Sequence, residues 1–138
     1  MITINKLFLI GIVVFLGCSK EQTSEPTKNL AGNYISNSFS EPNSVDGMVD
    51  VQSSGGSVQM TLTENNTYSA TVNIPQSVST VQGSGITTYS GVYSLANDTI
   101  TMNPAAFSVT RMKWIEGSYS LESISPARGG TFFILQRK

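Results

Sequence analysis

The chain of 138 residues has no histidine and a single cysteine, Cys18. Without imidazole there is no Ser-His or Cys-His nucleophilic pair, no histidine base and no common route to a transition-metal site. No serine stands three positions before a lysine, so the serine–lysine acyl-transfer pattern is missing as well. One thiol cannot form an internal disulfide, and the domain must stand on its apolar core. Charge is also scarce: eight Lys plus Arg are scattered among nine Asp plus Glu, leaving no basic stripe for nucleic acid. The glycine-rich stretches Ser53–Gly56 and Gln82–Gly85 lack a lysine and a following helix, so they read as loops rather than phosphate cradles. Asp46 and Asp50 offer two ligands where calcium takes about six to eight oxygens. Glu116 and Glu122 have no spacing that pairs them for acid–base work. The expectation is a non-enzymatic protein without metal or cofactor.

The apolar run Leu7–Leu16 is short. A spanning helix needs about 20 such residues, and this run has the length of a signal-peptide core. Gly17 then puts a small residue directly before the cysteine. Phe15-Leu16-Gly17-Cys18 resembles the bacterial lipobox, with Phe15 where leucine is usual. The resemblance implies that Cys18 is acylated, by palmitate or similar chains, and becomes the mature N-terminus. Each buried methylene adds about 0.8 kcal/mol, so two or three chains hold a protein on a membrane. Cys18 is then an anchor rather than a nucleophile or metal ligand. No aspartate follows it, unlike the inner-membrane retention signal of enteric bacteria. Lys20-Glu21 resembles the surface-export signal of Bacteroidota lipoproteins. These features predict residues 1–17 as a lipoprotein signal peptide and 18–29 as a lipidated cysteine with a flexible polar tether. They place the protein at the outer membrane, with a lean toward surface display.

From Leu30 to the C-terminus the patterning is that of strands, as one domain over 30–138. Val58, Met60 and Leu62 alternate with polar neighbours, and Tyr68, Ala70, Val72 and Ile74 do so after the turn Glu64-Asn65-Asn66. Ile86–Leu95 sets Tyr89, Gly91, Tyr93 and Leu95 on one face, with Gly91 predicting a bulge or bend. Ala96-Asn97-Asp98 turns the chain into Thr99–Met102. Phe107–Trp114 changes phase between Val109 and Met112, again the mark of a bulge. Ser118–Ile124 points Tyr119 and Leu121 inward, and Thr131–Gln136 carries four apolar residues in a row, fitting a doubly buried or barrel-closing strand. A short helical turn fits Pro75–Ser84, and Ser40–Val45 and Gln76–Gly85 read as long polar loops, either lids over a barrel mouth or contact surfaces. About eight strands joined as a meander predict an all-β, antiparallel up-and-down barrel, because closure removes exposed edges.

Leu30-Ala31-Gly32-Asn33-Tyr34 resembles the L-x-G-x-[WY] start of lipocalin-like domains, with tyrosine for the commoner tryptophan. Leu62–Tyr68 and Tyr89–Met102 resemble two of their hairpins, and Thr131–Arg137 sits where their last strand ends in a basic residue. The likeness extends over most of residues 30–138, and the chain is similar to the small lipocalin-like lipoproteins that many Bacteroidota carry. It implies an antiparallel barrel, one end plugged by the first aromatic, with a place for an interior ligand.

The candidate ligand residues are the aromatics in inward phase, namely Tyr34, Tyr68, Tyr89, Tyr93, Trp114 and Tyr119. Each ring adds apolar surface and each tyrosine a hydroxyl seeking a partner. An eight-stranded barrel is wide enough for its own side chains or for one small ligand. Two readings follow: a barrel that binds a small apolar or amphipathic molecule, or a filled barrel acting on an envelope protein partner through its outside. Asp98-Thr99-Ile100 also resembles the O-glycosylation sequon of exported Bacteroidota proteins, making Thr99 a candidate modification site at a hairpin tip.

Overall fold

The computed structural model describes residues 28–43, 47–124 and 130–138. The predicted signal peptide, Cys18 and most of the tether lie outside these residues, as does Asp46. Among the described residues the strands are β1 (Gly32–Asn43), β2 (Gly47–Asp50), β3 (Ser57–Leu62), β4 (Thr67–Ile74), β5 (Gly85–Ala96), β6 (Thr99–Ala106), β7 (Val109–Ile115), β8 (Ser120–Ser123) and β9 (Phe132–Arg137). From β3 to β9 each strand pairs antiparallel with the next, and β9 returns to β1 from Tyr34↔Arg137 to Ser40↔Phe132. The ring is closed: eight antiparallel strands form a barrel, with β2 as an extra strand on the far half of β1.

Alternation drives the closure. Val58, Met60 and Leu62 of β3 and Tyr68, Ala70, Val72 and Ile74 of β4 are buried, while Gln59, Thr61 and Ser69 face solvent. Met60, Ile100, Met112, Leu121, Phe133 and Leu135 have almost no accessible surface. A cavity beside them large enough for water would leave part of that surface exposed. The middle of the barrel is therefore packed solid with side chains, as this strand number permits.

The ends differ. One end carries the connections Thr63–Asn66, Asn97–Asp98 and the 3₁₀ turn Glu116–Ser118. The segment Lys28–Ala31 crosses beneath it. Lys28 pairs with Asp98 and Glu116, and the Arg137 guanidinium donates to the carbonyls of Asn29 and Ala31. Leu30 of this strap is buried, as are Tyr34 and Trp114. The opposite end, the mouth, carries the β4–β5 loop, the β6–β7 turn, the end of β8 and the start of β9.

Several local expectations need correction. Ser40–Asn43 is not loop but the continuation of β1, paired with β2. Pro75–Ser84 contains turns and no helix: Val78 N–H closes onto the Pro75 carbonyl and Gly83 N–H onto the Thr80 carbonyl, two separate turns that do not run on into a helix. Phe107 does not begin a strand: Phe107 and Ser108 form the β6–β7 turn, both at positive φ. The predicted phase change is real, and the register slips between Thr101 and Ala106 on the facing strand. Gly91 makes no bulge. It lies in regular register with Tyr68, and a Cβ there would meet the Asn103 carbonyl oxygen at 2.4 Å, so glycine lets β6 approach. Tyr119 does not point inward; it caps the 3₁₀ turn in the left-handed region and is 57% exposed.

Candidate functional site at the barrel mouth

The six predicted aromatics do not converge on one place. Tyr34, Trp114 and Tyr119 meet edge to face at the strapped end, with ring centroids 6.4 and 6.1 Å apart. The Tyr34 hydroxyl donates to the Leu30 carbonyl at 2.7 Å, which is how the strap is seated. Tyr93 donates to the Thr63 carbonyl at 2.8 Å, and Tyr68 donates to the Pro104 carbonyl. Burial raises the pKa of all three, Tyr34, Tyr68 and Tyr93, keeping them neutral donors. Tyr93 also borders an open cleft of about 400 Å³ with Lys28, Leu30, Asn66, Ser94 and Leu95. Thr99 is the first residue of β6, half-buried, beside an Asp98 already engaged by Lys28.

Tyr89 stands apart at the mouth. It packs edge to face on Phe107 at 6.2 Å, and Phe107 packs the same way on Phe39 at 5.9 Å. Phe107 takes φ 51°, a left-handed conformation that costs a bulky residue energy and so marks a position held by its surroundings. The β4–β5 loop is tied to β1 and to the β6–β7 turn, the elements that carry Phe39 and Phe107. Its Val78 is buried in the core, its Val81 N–H donates to the Pro42 carbonyl at 3.0 Å, and its Gln82 amide donates to the Ser108 hydroxyl at 2.8 Å. The loop is thus fixed at β1 and at the β6–β7 turn, across the rim from its own strands. It is a lid.

Glu41 lies under this rim. Its side chain has no accessible surface, and neither carboxyl oxygen has a hydrogen-bond partner. The position follows from a slip in β1. Pairing with β9 shifts between Ser36 and Ser38, so the inward phase passes from Tyr34 and Ser36 to Phe39 and Glu41. The slip is satisfied locally, since Ser36 Oγ donates to Gln52 and accepts from Val58 N–H. Desolvation lifts the Glu41 pKa from 4.5 to about 7, and the nearby Thr131 hydroxyl opposes the rise without making a well-formed bond. Tyr89 is raised too, first by burial, then lowered by Thr87 and raised by the charge of Glu41. That last effect places the two groups within electrostatic reach.

Glu41 was not evident from patterning, because the β1 slip hides the inward phase. The mouth brings together a buried carboxyl, three aromatic rings and a two-point lid. In this closed arrangement the carboxyl and the Phe39 and Phe107 rings are covered, and only Tyr89 is partly exposed. Compared with family models, characterised proteins and solved structures, the chain matches none.

Proposed function

We propose that this is a lipoprotein of the bacterial outer membrane, acylated at Cys18, whose lipocalin-like barrel binds a small amphipathic molecule at its lidded mouth without catalysis. The observation that carries the reading is the lid: a loop anchored across the rim to the elements that carry Phe39 and Phe107, above a barrel whose middle is already full. Binding is then confined to the mouth, where Tyr89 is the predicted aromatic in place to take part, joined by Phe39 and Phe107. The strap supports the anchoring part. Lys28 follows Cys18 by ten residue steps, a reach of at most about 36 Å. Lys28 sits at the strapped end, so an anchored molecule turns that end to the bilayer and its mouth to the aqueous space.

Native mass spectrometry of the protein taken from its own membrane tests both parts. Acyl mass on Cys18 that persists on unfolding is expected, together with a further mass that leaves on unfolding. Absence of the first removes the anchor, and absence of the second removes the ligand.

A second reading rests on β5. Its first half, Gly85–Ser90, pairs with β4 on one edge, whereas β6 joins the other edge only from Val92↔Asn103 onward. Ile86 is 73% exposed there, and neighbouring Val81 65%. An uncharged, partly unpaired edge of this kind is where an envelope protein could add a strand.

A further inference from the structure

We propose that the mouth site selects a cationic ligand, a protonated amine with a short apolar tail, and that Glu41 is its counter-ion. The inference rests on the ligand-binding reading and narrows it. Both oxygens of a fully buried carboxyl are unpartnered, which is rare in folded proteins and costly unless something satisfies them. Among the described residues no lysine or arginine pairs with Glu41. The elements around it present Val49 from β2 (opposite in register), Tyr89 from β5 and Thr131 before β9, of which only Tyr89 is titratable. The lid Pro75–Ser84 and the turn Phe107–Ser108 contain no charged residue at all. Among the described residues nothing satisfies this carboxyl, and a donor from outside would.

The surroundings suit an alkylammonium. An ammonium group has three donors and no acceptor, matching an acceptor-only carboxylate. Phe39, Phe107 and Tyr89 form a linked set of rings whose faces attract cations and whose apolar edges suit a short tail. A carboxylate ligand would meet like charge, and an alcohol would leave one oxygen unsatisfied. The ammonium must find Glu41 ionised, so affinity rises as pH climbs to about 7 and levels off above it.

The test uses the full-length protein in nanodiscs and three probes of one size: n-butylammonium, n-butanol and butyrate. Thermal unfolding is followed by fluorescence as each is titrated, since a ligand of the native state raises the midpoint with concentration. Butylammonium is expected to raise the midpoint and the other two are not. In Glu41→Gln, which keeps size and removes charge, its dissociation constant should rise about tenfold or more. Glu41→Asp should bind better than Glu41→Gln. If butanol acts as strongly as butylammonium, or Glu41→Gln responds like the parent, the counter-ion role is overturned while binding at the mouth survives. If no probe moves the parent, the amine site and mouth binding fall together.

Discussion

Replacing Glu41 by glutamine should stabilise the protein at neutral pH and leave it unchanged in acid. The carboxyl titrates at an ordinary 4.5 when unfolded and at about 7 when folded. Below the lower value both states hold the proton, and the group has no net effect. Between the two values the unfolded chain ionises while the folded one stays protonated, so unfolding is progressively favoured. Above about 7 the loss is complete. At about 1.4 kcal/mol for each pH step, the window amounts to roughly 3 kcal/mol, and relaxation at the mouth brings this nearer ~2. The assay is urea unfolding of the parent and Glu41→Gln from pH 4 to pH 9. The curves should meet near the acid end and diverge through the window, with the m-value unchanged. Other carboxylates affect both proteins alike and cancel in the difference. A difference that does not vary with pH would refute the reasoning, as would a glutamine variant less stable than the parent at pH 8.

Two further substitutions test the frame. Gly91→Ala would set a methyl 2.4 Å from the Asn103 oxygen and 2.7 Å from Pro104 Cδ, both on stiff backbone or ring. It should cost about 1–3 kcal/mol, and an unchanged midpoint of thermal unfolding would mean that β6 can yield. Arg137→Ala removes the donors to Asn29 and Ala31 and should cost about 1–2 kcal/mol for these partly buried charged hydrogen bonds. Amide exchange should quicken at Asn29–Ala31 and remain slow in β3 and β4; uniform quickening throughout the barrel would show the strap to be integral to the core.

The barrel was legible because β3 and β4 alternate without interruption and the turns at Asn65-Asn66 and Asn97-Asp98 use residues that tolerate left-handed backbone. Both turns do place asparagine or aspartate at positive φ. The mouth was harder to see for one reason, repeated. In β1 the shift near Ser36 exchanges the inward set, so a glutamate beside Pro42 reads as loop although it is buried. In the β6–β7 pair the slip carries Phe107 out of its strand and into a turn. Alternation has a period of two, and one inserted residue inverts it. Tyr119 misled for a related cause, since the left-handed cap of the 3₁₀ turn faces it outward just before β8 begins. Inward tyrosines were correctly placed at 34, 68 and 93, but periodicity cannot say that their hydroxyls are spent on Leu30, Pro104 and Thr63.

The pairing of β1 with β9 also sets the order in which this molecule can come into being. Every other pairing joins strands close in sequence, so hairpins can form as soon as their residues are available. The seam between Tyr34 and Arg137 cannot. A chain delivered N-terminus first must wait for its closing strand, and until it arrives β1 keeps an unsatisfied edge. Phe132 to Leu135, four apolar residues, are the last to find cover. Ring closure is thus one late, long-range event, the natural bottleneck in assembly. The same interval is when a foreign strand could take the place of β9.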